Sequence, residues 1–76
     1  TEMWAERATR SLLAALSERE QQVAALVCEG HSNRVIAEKL NVSEGTVKGH
    51  LHRIFYKLRI QSRLALIDAF ARAKSD

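Results

Sequence analysis

A chain of 76 residues, 46% hydrophobic and 28% charged, suits one small soluble domain whose core is too limited to house a deep catalytic cavity beside its own packing. The formal charge is +3, proline is absent and cysteine occurs once, which favours helix and excludes an intramolecular disulfide or a multi-cysteine zinc site. Its apolar runs are far shorter than a bilayer span and no signal-peptide pattern opens the chain, so the expected setting is cytoplasmic, with no membrane partner.

Met3 to Ala15 is rich in Ala, Leu, Arg and Glu, with Trp4, Ala8 and Leu12 at helical spacing; residues 1–15 are expected to form a linker or N-terminal helix. Ser17, with Glu20 three residues on, reads as a capping box in which each side chain satisfies the other residue's backbone N–H. The domain proper, residues 16–76, starts there. Val23, Leu26 and Val27 form the inward stripe of its first helix, and Gly30 offers a left-handed C-cap at little steric cost. Cys28 reads as a small packing residue. Ser32 caps a second helix that buries Ile36, Ala37 and Leu40. After the turn Asn41-Val42-Ser43, Ser43 caps a third, and Val42 can plug the crossing. Two short helices joined by so tight a turn cross sharply, leaving one free to enter a groove. Ser62 begins a final helix running to about Lys74. Because the chain opens on Thr1 rather than methionine, a larger parent with a sensory domain is expected.

Charge is distributed unevenly. Residues 1–31 hold three Lys/Arg against five Asp/Glu, residues 32–63 hold seven against two, and the remainder balances. A basic excess on the paired helices points to a polyanionic partner, since Lys and Arg that neutralise phosphates release counterions. The third helix sharpens this. Val47, Leu51, Ile54, Phe55 and Leu58 fall on one apolar stripe at 3.6 residues per turn. The opposite face carries Gly45, Gly49, Arg53 and Tyr56, with Lys48 and His52 on one flank and Thr46, His50, Arg53 and Lys57 along the other. A polar rail beside a low central line is the shape expected of a helix that follows phosphates while reaching base edges. Glycine inside a helix costs about 1 kcal/mol relative to alanine, so Gly45 and Gly49 are either tolerated surface substitutions or sites of close backbone approach to a groove.

Leu16-Ser17-Glu18-Arg19-Glu20, Gly30-His31-Ser32-Asn33, Ile36-Ala37, Leu40, Val42-Ser43, Thr46-Val47-Lys48, His50-Leu51, Ile54-Phe55, Lys57-Leu58 and Ser62-Arg63 together resemble the LuxR-type helix-turn-helix domain, also called the GerE or NarL/FixJ output domain. The resemblance spans roughly residues 16–67. It implies an all-α, four-helix, sequence-specific double-stranded DNA-binding domain of a bacterial transcription regulator, here with an additional N-terminal segment. The family's members are C-terminal effectors of response regulators or signal-binding proteins and bind as dimers, so a homodimer beside the nucleoid is the implied assembly. Carried over position by position, the resemblance puts Lys48, Gly49 and His52 at base edges, with Arg53 in support. Gly49 has no side chain to read with, which leaves the reading to Lys48, His52, Arg53 and DNA shape. The same resemblance sets Asn33, Ser43, Thr46, His50 and Lys57 near phosphates. Val35 occupies a position where Glu or Gln is common in the family, which removes a second capping box and leaves the start of that helix less well determined.

Other chemistries find no support in the spacing. His50 and His52 point in different directions on a helix and no third ligand completes a zinc pattern. Neither a phosphate-cradling glycine loop nor paired carboxylates suggest an enzyme, and no cofactor or small-molecule ligand is called for. His31 reads as a solvated loop residue, with a place near DNA as the alternative. The last helix is apolar nearly all round, from Leu64 through Ala71, which leaves a surplus beyond one packing face. The resemblance implies self-association through this helix, with Ala65, Leu66, Ala69 and Phe70 as the candidate dimer contacts; the alternative is that these residues are sandwiched between the first helix and the N-terminal segment. The alternative to DNA binding is a non-enzymatic protein-interaction module that dimerises or contacts RNA polymerase or a regulator without reading DNA. Salt-dependent duplex binding separates the two.

Overall fold

The computed structural model describes residues 10–74, and every regular element among them is helical. Residues 10–14 are helical and lead into α1 (Glu18–Cys28), followed by α2 (Asn33–Leu40), α3 (Glu44–Leu58) and α4 (Arg63–Lys74). Trp4 and Ala8 of the expected N-terminal helix lie outside the described residues; Leu12 and Leu13 pack against the core. None of the described helices is long and apolar enough to cross a membrane.

Each helix start is written in the residue that precedes it. The Ser17 hydroxyl accepts from the Glu20 N–H at 3.2 Å while the Glu20 carboxylate accepts from the Ser17 N–H at 2.9 Å, which completes the expected capping box. Ser43 accepts from the Thr46 N–H at 3.0 Å, and Ser62 from the Ala65 N–H at 3.1 Å. Such caps contribute about 1 kcal/mol each by satisfying donors the helix itself cannot. The loss of a capping box at Val35 does not blur the start of α2. Ser32 still accepts from the Val35 N–H at 3.3 Å, and extended backbone at Ser32 sets the boundary without help from a third-position side chain.

The helix ends share a second device. In α1 the Gly30 N–H donates to the Val27 carbonyl and the His31 N–H to the Leu26 carbonyl, with Gly30 at φ +94°. The same crossed pair of bonds closes α2, from Asn41 and Val42, and α3, from Arg59 and Ile60. This is the Schellman arrangement, which needs one left-handed residue per helix end. Asn41 and Arg59 fill that role with φ of 57° each. Asparagine tolerates the left-handed region; arginine pays about 1 kcal/mol for it.

The helices then pack around α1, which contacts α2, α3 and α4, while α3 also lies across α2. Val23, Val27, Ile36, Val47, Ile54 and Leu66 are fully buried at the centre, each worth about 1.5–3 kcal/mol in apolar burial. The α1 stripe is Glu20, Val23, Ala24 and Val27, with Leu26 half-buried beside it. Leu40, Val42, Phe55 and Leu58 are likewise half-buried and seal the edges of the core. Because α3 rests on α1 and α2 through Val47, Leu51 and Ile54, its opposite side is left without a covering element among the described residues.

Candidate nucleic-acid interface

The uncovered side of α3 is polar from its first turn to its last. Gly45, Thr46, Lys48, Gly49, His52, Arg53 and Tyr56 are all exposed. The side chains of Lys48, His52 and Arg53 carry no hydrogen bond or ion pair among the described residues. On the neighbouring helices Glu38 lies 3.9 Å from Arg34 and Asp68 lies 2.9 Å from Arg72, while Glu44 stands exposed in the first turn of α3. Solvated pairs of this kind add little stability. A Cβ placed on Gly49 would meet nothing within 4 Å, and one on Gly45 only the Ser43 hydroxyl at 3.7 Å. Packing within the domain therefore gives no reason for either glycine.

The flanking residues are more constrained. Ser43 and Thr46 share a hydroxyl hydrogen bond of 2.9 Å in addition to the cap, so both oxygens sit at the start of α3 in one fixed arrangement. His50 is half-buried, and its Nδ1 is buried without a hydrogen-bond partner. Nε2 is the nitrogen it has left to offer outward. Asn33, Lys48, Leu51, His52, Phe55 and Arg63 line one shallow groove between α2, α3 and the start of α4. That groove brings together three residues expected at the site, Asn33, Lys48 and His52. It also adds Arg63, which sequence reasoning used only as part of a family pattern.

Lys57 behaves differently from the other expected phosphate residues. Its ammonium donates to the Glu20 carboxylate at 2.7 Å, and the Glu20 side chain is only 4% exposed. The Lys57 hydrogen bond is the main reason the Glu20 carboxyl titrates below its ordinary value; burial pushes the other way, and the Ser17 N–H adds to the lowering. The first duty of this lysine is thus to the fold. No local signal reveals it, since the partners lie 37 positions apart.

The candidate dimer residues divide. Leu66 and Phe70 point inward, 0% and 7% exposed, and belong to the domain's own core, so they are not available as surface contacts. The cause is that α4 docks on α1 through them. Ala65 and Ala69 remain half-exposed, and the surplus apolar side chain is Leu64, 78% exposed.

Comparison with known proteins agrees with this architecture. The family of bacterial regulatory proteins described as the luxR family matches residues 14–70. A protein of Mycobacterium bovis described as an HTH-type transcriptional regulator is 45% identical over 60 residues, covering 79% of this chain and 7% of its own. The response regulator protein TodT of Pseudomonas putida is 42% identical over 59 residues, 78% of this chain and 26% of its own. The monoamine regulon transcriptional regulator of Klebsiella aerogenes is 41% identical over 57 residues, 75% of this chain and 25% of its own. The chain therefore spans about a quarter or less of the relatives it matches. No solved structure matches it. With three-quarters of its length matched to one family over an all-helical core, the chain belongs to the luxR family of bacterial regulatory proteins.

Proposed function

We propose that this domain binds specific sequences in duplex DNA by laying α3 in the major groove. The observation that carries the reading is the free polar face of α3: the cations Lys48 and Arg53, with His52 between them, stand exposed and unengaged over a helix whose other side is fixed by Val47, Leu51 and Ile54. Lys48 donates to guanine O6 and N7, His52 and Arg53 extend the reading, and Gly49 admits the backbone close to the groove floor. Asn33, Ser43, Thr46 and His50 hold the adjoining phosphates, with the remaining donors of Lys57 at the far end.

Two copies related by a two-fold axis would address half-sites about one helical turn, roughly 34 Å, apart. Leu64, Ala65 and Ala69 on the outer side of α4 supply the self-complementary contact in place of Leu66 and Phe70. The response-regulator and regulon-regulator relatives support a role as the output end of a longer, signal-responsive cytoplasmic protein. Selection of bound sequences from random duplex, followed by anisotropy titration across salt, tests the reading. Enrichment of a palindrome-like motif, and log affinity falling linearly with log salt, are expected. Equal retention of all sequences would remove base reading, and no retention in dilute buffer would leave a protein-interaction module.

A further inference from the structure

Arg63, the first residue of α4, is half-buried in the groove it shares with Asn33, Lys48 and His52. One terminal nitrogen donates to the Asn33 side-chain oxygen at 2.6 Å and the other to the backbone carbonyl of His31. Among the described residues no carboxylate lies in ion-pair range of it. This is a forked guanidinium held by two neutral oxygens, its charge left uncompensated beside the cationic face of α3.

The fork has a consequence for Asn33. A guanidinium carries only donors, so the amide atom turned towards it must be the oxygen. The NH2 group is then turned away from Arg63, and a side chain that could present either a donor or an acceptor is locked into presenting donors. Asn33 is also the first residue of α2, next to the Ser32 cap, so the same fork pins the 31–33 segment against α4. We infer that Arg63 is a positioning residue for DNA: by holding the Asn33 oxygen it aims the amide NH2 at a backbone phosphate. Lysine cannot replace it, because a point charge on a flexible stem does not hold two oxygens in one plane.

This inference rests on the proposed DNA reading, and the test keeps the two apart. Duplex affinity is measured by anisotropy on a selected site for the wild-type domain, Arg63→Lys, Asn33→Ala and the double variant, with folding checked by circular dichroism. Each single change is expected to weaken binding about tenfold, as loss of one charge-assisted hydrogen bond does, and the double variant by about the same factor rather than a hundredfold. The salt slope should be unchanged in Arg63→Lys, which keeps its charge. Wild-type affinity in Arg63→Lys, or multiplicative losses in the double variant, would overturn the inference. Failure of the wild-type domain to retain duplex would overturn the DNA reading and this inference with it. Should Arg63→Lys not fold, the Asn33 side-chain amide signals of the wild-type domain decide: a shift on adding duplex is expected, and unmoved signals overturn the assignment.

Discussion

Lys48 and Lys57 carry the same side chain on the same helix, yet one faces outward unengaged and the other holds a buried acid. Lys48 is exposed and has no side-chain partner among the described residues. Lys57, in the last turn of α3, lies 2.7 Å from the Glu20 carboxylate in the first turn of α1. What separates them is the surface beneath. The front of α3 leaves its polar side to solvent, whereas its end reaches Glu20, the one charged or polar residue buried among those described. Counting charges along a sequence therefore overstates what a helix shows to a partner when a cation, like Lys57 here, is already matched from within.

The comparison can be broken or sharpened by substitution. The largest effect should come from Lys57→Ala, which leaves the buried Glu20 carboxylate with only the Ser17 N–H and is expected to lower stability by about 1–2 kcal/mol at neutral pH in urea unfolding, the partial exposure of Lys57 screening the rest. The pH dependence has a defined sign. Because Lys57 and Ser17 hold the Glu20 carboxyl below its ordinary value, its contribution is present above the unfolded-state pKa and lost as pH falls through the folded one. The deficit of Lys57→Ala should thus narrow on acidification; a deficit constant from neutral to acid pH would show that the pair is not its source.

Lys48→Ala is the converse experiment. Stability should move by less than about 0.5 kcal/mol, while affinity at a selected site falls by about 1–3 kcal/mol and preference among sequences flattens. A loss of stability comparable to that of Lys57→Ala would erase the contrast between the two lysines. Gly49→Ala comes next: thermal unfolding should report about 1 kcal/mol of stabilisation, since the added methyl meets nothing in the domain. Duplex affinity should fall if the backbone sits against the groove floor, and unchanged affinity would mark Gly49 as a tolerated surface residue. Smallest of all, Arg59→Gly should stabilise by about 0.5 kcal/mol as relief of the left-handed φ outweighs the added freedom of the unfolded chain.

These contrasts follow the line between what the sequence makes legible and what it does not. Helix starts could be read at Ser17, Ser32, Ser43 and Ser62, because a cap is a local matter of one hydroxyl and an N–H three residues on. The first helix end was legible too, since Gly30 advertises its positive φ. The ends at Asn41 and Arg59 use the same hydrogen bonds with residues that announce it weakly or not at all. Periodicity fixed the buried side of α3, and with it the open side. It failed on α4, where apolar residues on every side give no preferred direction; only the docking on α1 chose Leu66 and Phe70 as core and left Leu64 outside. The Lys57–Glu20 pair and the Arg63 fork join positions 37 and 30 apart, and nothing local encodes such meetings.

One oxygen of Glu20 accepts both the Ser17 N–H and the Lys57 ammonium. The first turn of α1 and the tail of α3 are thereby fastened to a single atom, so fraying at either place loosens the other. Local openings that would otherwise be independent merge into a shared cooperative unit, and amide protons on both helices should exchange with a common protection. A domain this small has few means of resisting piecemeal melting; a two-handed carboxylate ties the last turn of the helix that leans on α1 to the first turn of α1 itself.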